Sequence, residues 1–199
     1  DEALAELAPD AVVLATGARP YAPKLPLAGM EVVQAWEVLG GFRPHGRRIV
    51  VADWGGDASG LAAADLLNAA GNEVTLALGS AALGETIHQY QRNLYGARLY
   101  RSGVRIEHHL ELVGAESGRV RFRNIFAQDV EASLAADLLV LALGRVPERG
   151  LADSLVGGEL DLHEAGDCLG PRSMEEAILE GTLAALGAGQ AIGAGSPSR

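Results

Sequence analysis

The chain has 199 residues, 48% of them hydrophobic and 21% charged, with 16 Lys+Arg against 26 Asp+Glu and a formal net charge of -10. That balance describes a folded globular protein and excludes a disordered tail; the acidic field also excludes a nucleic-acid backbone or an anionic membrane surface as a natural partner. The single cysteine, Cys168, excludes an internal disulfide, a Cys-x-x-Cys redox pair and a cysteine-built zinc or iron–sulfur cage, and predicts a reducing, cytoplasmic setting. Glycine, at 26 residues, is nearly twice its usual share of about 7%. It is needed where backbone turns sharply or approaches a ligand.

In chain order, the acidic start lacks the basic region of a signal peptide. Residues 10–17 form a short apolar run closing in Thr16-Gly17, which predicts a buried strand and a tight turn. Three prolines between residues 18 and 30 predict an extended connection, and 38–46 reads as a turn region. Residues 47–53 predict a second buried strand, followed by the glycine-rich turn Trp54-Gly55-Gly56-Asp57-Ala58-Ser59-Gly60. A helix over 61–70, stopped by Gly71-Asn72, and a strand over 73–78 complete a βαβ unit. Residues 86–102 predict a helix with Leu94, Leu99, Tyr90, Tyr95 and Tyr100 partly along one face. Alternation over 104–108, 110–113 and 119–126 predicts an antiparallel meander. A buried strand returns at 136–143 and turns out through Gly144. A short strand at 160–165 leads into Gly166-Asp167 and a helix from Ser173 to about residue 186. Ser173 and Glu176 have the spacing at which hydroxyl and carboxylate satisfy reciprocal backbone donors. The longest apolar run, 138–143, is far short of the about 20 residues a membrane helix needs.

The glycine-rich turn invites a dinucleotide reading, because glycines there admit a pyrophosphate to a helix N-terminus. Here the triplet is Gly55, Asp57, Gly60, with a carboxylate at the middle position. At an effective dielectric near 20, like charges 4 Å apart repel by about 4 kcal/mol, more than the roughly 0.3–1 kcal/mol a helix terminus contributes. The acidic residue expected at the end of the next strand is also absent, since Leu78-Gly79-Ser80 stands there. A dinucleotide fold with a blunted NAD(P) site follows. Asp167, on a strand–Gly–Asp turn before a capped helix, is placed either to accept from ribose or ribityl hydroxyls or simply to cap its turn.

The ordered set Ala15-Thr16-Gly17, the glycine-rich βαβ unit, Ala142-Leu143-Gly144-Arg145 and Gly166-Asp167 resembles flavoproteins with two dinucleotide folds. More narrowly, Val51-Ala52-Asp53-Trp54-Gly55-Gly56-Asp57, His88-Gln89-Tyr90-Gln91-Arg92-Asn93-Leu94-Tyr95 and Ala165-Gly166-Asp167-Cys168-Leu169-Gly170-Pro171-Arg172 resemble the C-terminal region of the trimethylamine dehydrogenase, histamine dehydrogenase and 2,4-dienoyl-CoA reductase family. The resemblance implies an α/β, Rossmann-like FAD/NAD(P)-binding fold: a parallel sheet, flanking helices, an antiparallel meander and a partial second FAD/ADP-type half. It implies an NAD(P)-type domain over 30–145, a residual FAD/ADP-type half over 1–29 plus 146–190, and a flexible tail over 191–199. Cofactor-binding residues are then Thr16, Gly17, Gly55, Gly56, Gly60, Gly144, Gly166 and Asp167, with ADP or FAD at the first nucleotide site. FMN and a [4Fe-4S] cluster belong to an N-terminal barrel not contained in this chain. The chain therefore reads as a piece of a larger flavin-dependent oxidoreductase, of the amine dehydrogenase or enoyl reductase type, without turnover of its own. A nucleotide, the barrel and a homo-oligomeric assembly are the implied partners. The alternative is a non-catalytic ADP-binding or structural domain. Asp57 and the missing ribose acid favour the amine dehydrogenase branch.

No residue receives a catalytic or metal-binding role. Cys168 reads as a small packing residue, since no activating base accompanies it. His108 and His109, read as strand residues, would point to opposite faces. The three tyrosines read as packing residues and His88 as part of a solvated face. A thiol–disulfide flavoprotein fails for want of a second cysteine.

Overall fold

The computed structural model describes residues 6–157 and 160–194. It divides into two compact units, one formed by Asp1–Arg19 with Arg145–Arg199 and the other by Pro20–Gly144. The second, unit 2, is built on a five-stranded parallel sheet in the order β3-β10-β4-β5-β6. Its strands are β3 (Val32–Gln34), β4 (Arg48–Asp53), β5 (Glu73–Leu78), β6 (Arg105–Glu107) and β10 (Leu138–Ala142). A strand buried on both faces needs apolar residues at every position. β10, Leu-Leu-Val-Leu-Ala, and residues 49–52 of β4 meet that need, with Asp53 the exception at the end of β4. Successive side chains alternate between two cores. Ile49, Val51, Leu138 and Val140 face helices α1 (Ala35–Leu39), α2 (Ala58–Ala69) and α3 (Gln89–Arg101). Val50, Ala52, Leu139 and Leu141 face a three-stranded antiparallel meander, β7 (Leu110–Glu116), β8 (Arg119–Asn124) and β9 (Glu131–Ala135). Small residues on α2, among them Gly60, Ala63 and Ala64, are fully buried and let the helix lie close to the sheet. The helix stops where Gly71 turns to φ +83° and buried Asn72 donates to the Leu67 and Pro44 carbonyls, both at 2.8 Å.

Unit 1 pairs β1 (Ala11–Leu14) in parallel with β12 (Asp161–Glu164). A second short pair joins β2 (Ala18–Pro20) to β11 (Arg145–Pro147). Helix α4 (Gly150–Leu155), a 3₁₀ turn (Gly166–Cys168) and the long α5 (Met174–Ala194) complete it. The Ser173–Glu176 cap forms as the spacing predicts, with Glu176 Oε2 accepting from Ser173 N at 3.1 Å and Ser173 Oγ from Glu175 N at 3.2 Å. Cys168 is fully buried, its thiol donating to the Leu14 and Ala165 carbonyls.

Several expectations change. Residues 104–108 do not enter the meander: β6 joins the edge of the parallel sheet beside β5, and the third meander strand is β9. His108 and His109 lie in the connection between β6 and β7, with His109 at φ +64°. β7 runs past the expected end at 113, with Gly114 inside it at a break in register. Residues 35–39, partly read as a turn, form α1, closed by the Gln34–Glu37 capping box. On α3 only Leu99 is buried and Tyr95 is partly so; Tyr90, Leu94 and Tyr100 are exposed. The extended 18–30 connection and the Gly144–Pro147 turn each contain a short strand, and α4 was not foreseen. α5 runs eight residues beyond its expected end near 186, through Ala194. Of the expected tail, 195–199 lie outside the described residues.

Candidate functional site

The eight glycine-turn residues gather into two clusters, each at the C-terminal ends of two adjacent parallel strands. That is where open α/β sheets present ligands. In unit 2, β4 and β10 are in register with Asp53 opposite Ala142. The turns that follow lie so close that position 55 admits no side chain: a Cβ on Gly55 would lie 2.9 Å from Gly144 N, while Gly144 takes φ +91°. Gly60, in the first turn of α2, faces the Asp53 carboxylate, and a Cβ there would lie 2.8 Å from it and 3.1 Å from Ala142 Cβ. Gly56 takes φ +62°.

The space these glycines open is filled from within the chain. Asp57 is the N-cap of α2; its Oδ1 accepts from Ser59 N at 2.7 Å and Ser59 Oγ at 2.5 Å. A second segment, residues 84–87, straps the turn. Thr86 donates to Gly56 O through N at 3.0 Å and through Oγ1 at 2.9 Å, and Glu85 lies against Gly56. Glu85 in turn accepts from Ala81 N and Ala82 N, which holds the strap in shape. At the end of β5, where a ribose-binding acid would stand, Trp54 packs on Gly79. A Cβ on Gly79 would fall 2.1 Å from the indole.

One residue of this site is absent from the candidates read off the sequence. Asp53 is a carboxylate, 3% exposed, closing an otherwise apolar strand. Its Oδ1 accepts from Gly56 N at 3.0 Å, while Oδ2 is buried without a partner among the described residues. Burial pushes its pKa up to about 7; the Gly56 N–H opposes this and the nearby Asp57 charge adds to it. The sequence signal was there in an acid at the last position of a buried strand, immediately before a glycine turn.

In unit 1, β1 and β12 pair with Leu14 opposite Glu164, so the turns carrying Thr16-Gly17 and Gly166-Asp167 emerge side by side. Gly17 at φ +77° has open space where a side chain would be, and Gly166 takes φ +74°. The polar atoms nearby already have partners. Thr16 Oγ1 donates to Glu148 O at 2.8 Å, and Gly166 N donates to Glu180 Oε2 at 2.8 Å. Asp167 Oδ2 accepts from Arg145 Nη1 at 2.6 Å, and its Oδ1 accepts from Arg172 N at 3.3 Å. Arg172 also pairs with Glu180. A carboxylate has about four acceptor positions, so Asp167 keeps capacity for a hydroxyl donor.

Comparison with known proteins gives a consistent picture. The family model described as pyridine nucleotide-disulphide oxidoreductase matches residues 1–178. The N,N-dimethylglycine/sarcosine dehydrogenase of Chromohalobacter salexigens is 28% identical over 221 aligned positions, which span 90% of this chain and 32% of that protein. A metal reductase of Desulforamulus reducens is 27% identical, spanning 84% of this chain and 29% of that protein. Among solved structures, the 6-hydroxypseudooxynicotine amine oxidase of Pseudomonas geniculata N1 superposes with a TM-score of 0.81 at 23% identity, covering 92% of this chain and 29% of that one. The histamine dehydrogenase of Rhizobium sp. 4-9 superposes with a TM-score of 0.77 at 20% identity, covering 95% and 31%. The chain thus spans about a third of the length of the relatives it matches. No described helix is long and apolar enough to cross a membrane.

Proposed function

The chain belongs to the pyridine nucleotide-disulphide oxidoreductase family, and from that premise we propose that it is the C-terminal nucleotide-binding part of a flavin-dependent oxidoreductase of the amine dehydrogenase or enoyl reductase type. The substrate chemistry would be carried by FMN in a barrel domain of the longer protein. The similarity to a dimethylglycine/sarcosine dehydrogenase over 90% of the chain supports the amine branch. In this reading unit 1 takes ADP or FAD. Gly17, unhindered and left-handed, lets a nucleotide approach the backbone, and Asp167 orients a ribose or ribityl hydroxyl through its remaining acceptor positions. Bound flavin would supply electron-transfer capacity; this chain supplies orientation.

Unit 2 does not fit NAD(P). The observation that carries this is Asp57: its carboxylate sits on the N-terminal donors of α2, where a pyrophosphate would have to go, with the 84–87 strap bonded across the neighbouring glycine. A dianionic ligand there meets a fixed negative charge whose repulsion, about 4 kcal/mol at 4 Å, outweighs the helix terminus.

Calorimetry on the chain with ADP, FAD, NADH and NADPH tests both halves. ADP or FAD is expected to bind, with Gly17→Val and Asp167→Ala weakening it, and NADH and NADPH are expected not to bind. Micromolar NADPH binding would overturn the assignment of unit 2. Asp57→Gly is the variant in which any residual nicotinamide affinity would surface. A second reading, a structural domain that binds nothing, is favoured by the internal pairing of Thr16, Gly166 and Asp167, and a silent ADP and FAD titration would establish it. A longer protein with the barrel attached that showed neither flavin nor turnover of amines or enals would end the oxidoreductase reading.

A further inference from the structure

Asp53 takes no part in the nucleotide binding proposed for unit 1, yet several pieces of unit 2 meet at its side chain. It is 3% exposed. Its neighbours across the sheet are Leu78 on β5 and Ala142 on β10. Gly60, in the first turn of α2, stands over its Oδ2, and its Oδ1 accepts from Gly56 N at 3.0 Å. We propose that Asp53 is a proton-operated latch on the 54–60 turn: with the carboxyl protonated, the turn and the 84–87 strap are closed on each other, and loss of the proton opens both while the parallel sheet stays folded.

Three observations carry this. First, nothing offsets a charge on this carboxyl. Oδ2 is buried without a partner among the described residues, and a carboxylate left in that state is far costlier than the neutral acid. The residues that face it from β5, β10 and α2 are Leu78, Ala142 and Gly60, none of them titratable. The titratable groups of the turn and the strap are Asp57 and Glu85, both acids, and the Asp57 charge resists ionisation further. Against this stand only the Gly56 and Gly55 N–H groups, and burial outweighs them. Second, the cover over the carboxyl is able to move. The turn has glycine at 55, 56 and 60, and glycine has the widest backbone freedom of any residue. Third, one residue carries both contacts. Gly56 N is held by Asp53, and Gly56 O accepts from Thr86 N at 3.0 Å and Thr86 Oγ1 at 2.9 Å. Displacing Gly56 from Asp53 therefore releases the strap, which moves as a unit because Glu85 accepts from Ala81 N and Ala82 N. The direction follows from linkage. Once exposed, the carboxyl titrates near its ordinary 3.8; in the closed turn it titrates near 7. The opened form thus gives up a proton that the closed form keeps. Opening is rarest below about pH 4, rises by about tenfold per pH unit, and levels off above about pH 7.

The test is residue-resolved amide hydrogen exchange on the whole chain, read as protection factors so that the pH dependence of exchange itself is divided out. The amides of Gly56 and Thr86 are expected to lose protection by about 100-fold or more between about pH 4.5 and about pH 7.5. Their exchange should be insensitive to low urea, since a local opening exposes little surface. Ala115 N, bonded to Pro26 O at 2.8 Å on the meander, reports the folded core. It should stay at least about tenfold better protected than Gly56 and Thr86 at neutral pH, and its exchange should respond to urea. Asp53→Asn, which has no acid proton to lose, should remove the pH dependence at Gly56 and Thr86. Should that variant fail to fold, as read by circular dichroism, a carbon-13 titration of the Asp53 carboxyl in the parent chain decides: a midpoint above about 5 supports the latch and one below it overturns the proposal. The proposal is also overturned if protection at Gly56 and Thr86 is unchanged over this pH range, if it falls only in step with Ala115 and with the same urea dependence, or if the pH dependence survives in Asp53→Asn.

Discussion

Both units place glycine turns at the ends of adjacent parallel strands, yet they treat the space differently. In unit 2 the turn is occupied by the chain itself: Asp57 on the helix donors, Thr86 on Gly56, Trp54 on Gly79. In unit 1, Gly17 faces open space and the polar atoms are paired only around its margin. The cores differ too. Unit 2 buries a five-stranded sheet on both faces, whereas α5 of unit 1 exposes Met174, Ile178, Leu179, Leu183 and Leu186. The same turn geometry thus leaves open space in one place and is filled by internal packing in the other. What separates them is which side chains follow the glycines.

The largest expected effect sets the two cores apart. Phe122→Ala, fully buried between meander and sheet, should cost about 3–5 kcal/mol. Ile178→Ala, on the exposed face of α5, should change stability by less than about 0.5 kcal/mol. Urea unfolding of both variants reads the contrast, and equal effects would dissolve it.

Next comes Asp53. Its folded pKa lies near 7, above the ordinary 3.8, so the folded state holds a proton that the unfolded chain has already released. Stability should fall as pH rises from about 4 to about 7 and level off above that. Asp53→Asn should flatten this part of the profile and raise the high-pH plateau by up to a few kcal/mol. A wild-type urea midpoint that climbs through the same window would contradict the assignment.

Gly60→Ala follows. Alanine gains about 1 kcal/mol in helix propensity, but its Cβ would press on the Asp53 carboxylate and on Ala142, and such overpacking costs about 1–3 kcal/mol. Net destabilisation in thermal unfolding is expected; a gain would show that the turn relaxes freely. A comparable effect is expected of Asp57→Ala, which removes the α2 cap at about 0.5–2 kcal/mol. If Asp57 mainly repelled ligand and capped little, the variant would be as stable as the parent.

Much of this was legible in the residues. The apolar runs that became β4 and β10 stand out because a strand buried on both faces tolerates few polar residues. The run that became β1 reads as buried as well, but only Leu14 of it is buried and Val13 is 45% exposed. The Gly71-Asn72 stop and the Ser173–Glu176 cap are local devices with local signatures. The short strand at 160–165 was legible as β12, but other short or edge elements were not. β6 has three residues and takes its place from pairing with β5, not from its own pattern. α1 has five residues and depends on packing against α2. The meander was recognised in kind, but its third strand and its register break at Gly114 were set by cross-strand partners.

The sequence by itself determined the fold class, the order of the glycine turns and the carboxylate that stands among them at position 57, because apolar runs, turn glycines and a charge are properties of contiguous residues. Tertiary structure alone decided that Asp53 is buried deeply enough for its pKa to rise to about 7, that residues 84–87 close over Gly56, and that Trp54 lies on Gly79. Each of these depends on which distant residues are brought within a few ångströms. Burial, charge repulsion and close packing act through space, and chain order does not encode that distance directly.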